Sequence, residues 1–154
     1  MILKSQVLKR IDKIRLVECI IQKVENVIKK HYEVVAAVIV KDKTFFCCQR
    51  GNKGECAYKW EFPGGKIEPG ETKEEALVRE IKEELNSTIK VNKYLATINH
   101  EYNSFSLTMH AYECELANGK LEISEHFDSR WLKKEELKEL DFAEADKKII
   151  KQLV

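Results

Sequence analysis

No stretch of the 154-residue chain approaches the roughly 18 consecutive apolar residues that a membrane-spanning helix needs. The first residues intersperse Lys4, Lys9, Arg10 and Asp12 among apolar ones, so the continuous apolar core of a secretory signal is missing and a cytoplasmic protein is expected. Cysteine is odd in number. Cys19, Cys47, Cys48, Cys56 and Cys114 include no CxxC pair, which argues against both a zinc site and a disulfide framework and leaves them as small buried apolar groups or free thiols. The four histidines, His31, His100, His110 and His126, lack ligand spacing and a nucleophile to pair with, so they read as surface or hydrogen-bonded structural residues and covalent catalysis is not indicated. A net charge of +1 argues against a general binder of nucleic acid polymers. Repeats and low-complexity tracts are also missing. What remains, with 44% hydrophobic residues, fits one catalytic domain with a real core.

Residues 1–30 stand apart by charge. Eight basic residues face three acidic ones, a local charge of +5 that leaves −4 for the rest of the chain. Val7, Ile11, Ile14, Val17, Ile21, Val24 and Ile28 step by fours and threes with no Gly or Pro between them, the pattern of an amphipathic helix. Such a basic helical extension is expected to pack on its own domain or on a second copy, giving a homodimer; a membrane surface or an acidic partner is the alternative.

Beyond it, Val34 to Val40 predicts a strand buried on both faces, 41–43 a turn, and Thr44 to Gln49 the returning strand. Residues 51–59, polar and glycine-containing, predict a mobile loop beside the site. Lys90 to Ile98 and Ser104 to Leu116 alternate as strands with a turn at 100–103. Asn118-Gly119 signals a hairpin, followed by short strands at 120–123 and 130–132, and helices are expected at 134–139 and 143–153.

The most informative stretch runs from Trp60 to Asn86, WEFPGGKIEPGETKEEALVREIKEELN. A short strand breaks at a tight turn, Pro63-Gly64-Gly65, where glycine permits unusual angles and close approaches. A second turn follows at 68–70. Thr72 with Glu75 makes a capping-box helix start, and Asn86 suits a left-handed end. On the helical wheel Leu77, Val78, Ile81 and Leu85 fill one arc of roughly 100°, while Glu80, Glu83 and Glu84 fill a second arc beside it. Neighbouring like charges repel unless a cation joins them, and a carboxylate-dense flank suits Mg²⁺ or Mn²⁺. Read from the helix alone, a solvated face with Glu75 paired to Arg79 and Arg79 to Glu83 fits equally well.

The same stretch closely resembles the Nudix box, G-x5-E-x7-R-E-U-x-E-E-x-G-U with U a bulky aliphatic. Gly65, Glu71, Arg79, Glu80, Ile81, Glu83 and Glu84 match, while Asn86 replaces the family glycine and Ser87 an aliphatic. The resemblance covers roughly residues 32–154, and Arg50, WEFPGGKIEPGE and FAEADKKIIKQL look like its MutT-like branch. It implies an α/β fold, a Nudix-type α/β/α sandwich with a mixed sheet over 31–154. It also implies cleavage of a nucleoside triphosphate between the α and β phosphorus atoms, giving the monophosphate and pyrophosphate. By the same resemblance the Gly64 carbonyl, Glu80, Glu83 and Glu84 hold Mg²⁺, with Mn²⁺ as the alternative, and Glu80 is a candidate base. Arg79 orients the glutamates, and Gly65 and Glu71 hold loop and helix together. An acidic residue beyond the box assists in several relatives; Glu125 is the first choice and Glu101 the second.

For the nucleobase, Phe62 and Tyr102 are aromatic candidates and Arg50 can touch base or phosphate. Asp146 falls where the MutT-like branch reads the base edge; as an ionised acceptor it would favour an exocyclic amino group such as cytosine N4, or the ring N–H of an oxidised purine. The substrate expectation is therefore 8-oxo-dGTP or a cytidine-type triphosphate, within nucleotide-pool sanitation. A nucleotide sugar, a dinucleotide or capped RNA is the alternative within the family, and a non-catalytic nucleotide-binding module lies outside enzymes altogether.

Overall fold

Strand β1 (Lys30–Lys41) is the spine around which the larger of two compact units is built. The computed structural model describes residues 2–153, with side chains for all of these except 2 and 25–27. The two units are Met1–Lys30, which is helix α1 (Ile2–Val27) with a short tail, and His31–Val154.

Alternate residues of β1 enter two separate cores, as its near-continuous apolar run predicts. Val35, Ala37 and Ile39 pack with Ala76, Leu77, Ile81 and Leu85 of helix α2 (Lys73–Leu85). Ala36 and Val38 pack with Ala145, Ile149 and Ile150 of helix α3 (Glu144–Leu153). One helix therefore covers each face of the sheet, an α/β/α sandwich. The sheet has seven strands. Its main order is β3 (Trp60–Glu61), β2 (Thr44–Gln49), β1, β6 (Phe105–Asn118) and β5 (Thr88–Glu101). Strand β4 (Gly64–Lys66) pairs with β1, and β7 (Asp128–Lys133) with β2. His31 bonds Ser106 and Thr108, and Glu33 bonds His110, so contacts advance in the same sense along β1 and β6. Those two strands run parallel while β5–β6 and β1–β2 are antiparallel, which makes the sheet mixed.

The helix start predicted at Thr72 is present as a full capping box, and Asn86 adopts the left-handed conformation at φ 48°. The buried arc differs from the predicted one. Val78 is exposed and Ala76 is buried, so the arc runs from Ala76 to Leu85 and takes in the Glu80 and Glu84 positions. The carboxylates lie partly within the packed face, with Glu83 at its exposed margin. This shift puts charge against the protein.

Three other expectations are corrected. Gly64 and Gly65 form strand β4, with Ala36 opposite Gly64, and neither glycine has a positive φ; close approach to neighbours is what both require. Residues 120–123 form no strand. Their backbone crosses the end of α2, where the Glu122 and Ser124 N–H groups donate to the carbonyls of Leu85 (3.0 Å) and Glu84 (3.2 Å), oxygens that a helix end leaves without intrahelical partners. In place of a helix at 134–139 there is a single 3-10 turn, Glu136–Lys138.

Ser87, which replaces the family aliphatic, is buried with its hydroxyl within reach of the Leu85 (3.0 Å) and Lys120 (2.7 Å) carbonyls, tethering the crossing segment. Ser87→Ala is expected to cost about 1 kcal/mol, measured as a lower urea midpoint.

Candidate active site

The box residues hold one another through Arg79. Its Nε and Nη2 donate to the two oxygens of Glu71 (2.5 and 2.9 Å), Nη1 to Glu80 (2.9 Å) and Glu83 (3.3 Å), and Nη2 also to the Lys66 carbonyl (3.0 Å). The planar fork ties β4, the turn before α2 and α2 itself into one piece. The paired guanidinium and the Glu68 N–H hold the Glu71 carboxyl down at about 2. The Glu80 carboxyl lies directly on Gly65: a Cβ there would come within 2.3 Å of the Glu80 Cδ.

Glu84 is the electrostatic centre. Its Oε2 is buried without a hydrogen-bond partner. Burial, then the carboxylates of Glu61, Glu80 and Glu125, raise its pKa to about 7, against the opposing pull of His126. Glu61, on β3, receives Arg50 Nη1 on one oxygen (2.8 Å) and His126 Nε2 on the other (3.1 Å). The His126 side chain is itself buried, and Nδ1 has no partner. Burial lowers its pKa, but the Glu61 hydrogen bond and charge outweigh this and the balance is upward. The segment that crosses the end of α2 is what brings Glu125 and His126 to this point.

Two clefts meet at Arg50, Glu61 and Glu84. The polar cleft, about 570 Å³, is also lined by Asn52, Lys53, Glu125 and His126. The other, about 410 Å³, has aromatic walls of Tyr32, Phe62, Tyr102 and Phe105, with Gly64, Lys66 and Asp146 on its lining. Tyr102 and Phe105 stack at 4.6 Å, Phe105 meets Tyr32 edge-on at 5.8 Å, and Lys66 Nζ sits 4.2 Å above the Tyr32 ring. The Tyr102 hydroxyl accepts the Ala145 N–H and anchors the start of α3. Residues 51–59 are fastened to this wall, because the Glu55 carboxylate accepts the N–H groups of Asn103 (2.8 Å) and Ser104 (2.9 Å).

Asp146 is buried, and its Oδ1 accepts the Phe62 N–H (2.8 Å). Burial, then the Glu61 charge, push its pKa well above the usual carboxylate range, against the opposing effects of the Phe62 N–H and Arg50. That direction favours the protonated carboxyl, which both donates and accepts, over the acceptor-only carboxylate expected from the sequence.

The predicted residues divide accordingly. Arg50, Phe62, Gly64, Gly65, Glu84, Tyr102 and Asp146 line the aromatic cleft, and Glu125 lines the polar one. Glu80 lies behind Gly65. Arg79, Glu71 and Glu83 form the supporting network, with Glu83 mostly exposed, and Glu101 is exposed at the end of β5. Sequence reasoning missed Glu61, His126, Tyr32 and Phe105. Among the described residues, no three His, Cys, Asp or Glu side chains converge at ligand distances, since Arg79 holds Glu80 and Glu83. The donor chemistry nevertheless fits a hard divalent cation, because Glu84 keeps one oxygen, Oε2, buried without a partner while the carboxylates of Glu61, Glu80 and Glu125 act on it.

The NUDIX domain family profile matches residues 34–152. The CTP pyrophosphohydrolase of Escherichia coli (strain K12) is 38% identical over 117 residues, 76% of this chain and 87% of that protein. The 8-oxo-dGTP diphosphatase of the same organism is 30% identical over 125 residues, 81% and 97% of the two chains. The solution structure of the E. coli ORF135 protein superposes with a TM-score of 0.70 at 35% identity, covering 81% of this chain and 89% of that one. No helix among the described residues is long and apolar enough to cross a membrane. With a family profile matched over most of its length and relatives that share its box, the chain belongs to the Nudix family, as a hydrolase of its MutT-like branch.

Proposed function

We propose that this protein is a Mg²⁺-dependent nucleoside triphosphate pyrophosphohydrolase that releases monophosphate and pyrophosphate and serves to cleanse the nucleotide pool. The observation that carries the reading is the position of Glu84, whose Oε2 is buried and unpartnered where an aromatic cleft meets a polar one. The aromatic wall of the first offers a surface on which a base stacks, and the second takes a polyphosphate, with Lys53 and Arg50 on its wall. Glu84, Glu80, Glu83 and the Gly64 carbonyl are the residues assigned to the metal. Bound there, a divalent ion neutralises phosphate charge and lowers the pKa of an attacking water. We assign the accompanying base to Glu125, with Glu80 as the other candidate. Glu61, occupied on both oxygens, positions Arg50 and His126.

Asp146 narrows the base. Protonated, it offers a donor and an acceptor side by side, which complement N3 and N4–H of cytosine and equally O6 and N7–H of 8-oxoguanine. Unmodified guanine offers two acceptors on that edge and is matched only by half. Both preferred bases belong to substrates named for the curated relatives.

The test is a triphosphate panel read by pyrophosphate release. CTP, dCTP or 8-oxo-dGTP is expected to exceed dGTP in kcat/KM by about 10²-fold or more. Asp146→Asn, which keeps a donor and an acceptor, should retain that ranking; Asp146→Leu should flatten it. Turnover of diphosphate-linked substrates alone would defeat the proposal.

A further inference from the structure

Helix α1 carries an apolar stripe that the chemistry of the clefts does not use. Val7, Ile14 and Ile21 recur every seven residues, continued by Ile28 just past the helix end, and Leu3, Arg10, Val17 and Val24 interleave with them. The mean step is therefore about 3.5 residues, the period that keeps one seam facing a partner helix as the two supercoil. Val7, Ile14, Val17, Ile21 and Val24 are each 49% to 56% exposed, a continuous apolar seam open to solvent.

We infer that α1 pairs with α1 of a second copy as an antiparallel two-stranded coiled coil. Direction follows from charge. The first half of the helical segment, residues 1–15, carries five basic residues and one acidic one, a local charge of +4. Residues 16–28 carry one basic residue and two acidic ones, a local charge of −1. A parallel pair would set the basic halves side by side and bury Arg10 against its own copy in the seam. An antiparallel pair lays each basic half along the other copy's acidic half. In that register Val7 meets Val24 of the second copy, Ile14 meets Val17, and Arg10 meets Ile21 with Glu18 one turn away.

The strict seven-residue repeat and Glu18 at the stripe's margin both argue against an anionic lipid surface. A straight helix lying on a membrane would let such a seam drift by roughly 20° per heptad, and the carboxylate would face lipid phosphate. The pairing is isologous, so one seam serves both copies and the assembly closes at two.

The test uses the full chain. Its mass is measured in solution across a concentration series, beside an Ile14→Lys/Ile21→Lys variant. In parallel, Val7→Cys and Val24→Cys chains, both carrying Cys19→Ser, are mixed and oxidised with diamide. Expected are a dimer for the parent, a monomer for the lysine variant, and a crosslink that forms only between the two different cysteine chains. The cysteine arm adds no charge, so it stands even if the lysine variant loses helix. A parent monomeric at every concentration, a dimer that survives both lysines, or Val7→Cys crosslinking to itself overturns the inference. So does a chain that stays monomeric yet floats with phosphatidylserine–phosphatidylcholine vesicles.

Discussion

Glu84→Gln is expected to abolish turnover while making the metal-free protein more stable at alkaline pH. The carboxyl titrates at about 7 in the folded chain, against an ordinary 4.5. Below 4.5 it is protonated in both states and has no effect. Between 4.5 and 7 the unfolded chain releases a proton that the folded chain keeps, so folding stability falls as pH rises. Above 7 the folded protein carries the full penalty of a desolvated charge facing Glu61, Glu80 and Glu125. A divalent cation removes that penalty, so the parent should melt at a higher temperature with Mg²⁺ at about pH 8 and gain much less at about pH 5. The glutamine variant keeps the shape without the charge; its melts should be flatter across this window and nearly indifferent to Mg²⁺. Its loss of kcat should reach the order of 10²–10³ or more, the scale on which one preorganised electrostatic group acts. Thermal melts at the two pH values with and without Mg²⁺, beside pyrophosphate release, check both halves. Unchanged turnover in Glu84→Gln would remove this residue from the centre of the site.

Much of this was legible because it is local. The start and end of α2 are written in Thr72, Glu75 and Asn86, and the two-faced burial of β1 in its unbroken apolar run. The spacing of the box carboxylates is likewise fixed within one helix. What failed to show in the sequence is contributed from a distance. A segment some 36 to 40 residues later crosses the end of α2 beside Glu84, and hydrogen bonds to helix-end carbonyls leave no periodic trace. The same crossing turns His126 from an isolated histidine into the partner of Glu61, 65 residues away. Tyr32 and Phe105 become a wall only through the parallel alignment of β1 with β6, which no short-range pattern records. The polar run at 51–59 gives no sign of its contact with the β5–β6 turn, which Glu55 makes through the Asn103 and Ser104 N–H groups. Even the glycines were recognised for two reasons, of which one applies.

That distinction gives the second large effect, in which two adjacent glycines fail in different ways. A Cβ at Gly64 would lie 2.0 Å from the Val35 carbonyl oxygen, an atom of the central strand. Backbone cannot step aside, so Gly64→Ala must pull β4 from β1, and its cost is expected to be roughly 3 kcal/mol or more. The three atoms nearest to a Cβ at Gly65 all belong to the carboxyl end of Glu80, with Cδ 2.3 Å away. A side-chain end can swing, so Gly65→Ala should lose about 1 kcal/mol or less. The displaced carboxyl, however, leaves Arg79 and the position from which it is assigned to the metal, and turnover should fall by about 10²-fold. Gly51, whose Cβ would meet nothing within 4 Å, is the stability control, and alanine there should leave the urea midpoint unchanged. Urea titration and pyrophosphate release on the three variants separate the outcomes. If Gly65→Ala unfolds the protein as readily as Gly64→Ala, the glycine is there for backbone packing and the seating of Glu80 is incidental; if it folds and turns over normally, Glu80 acts from another rotamer.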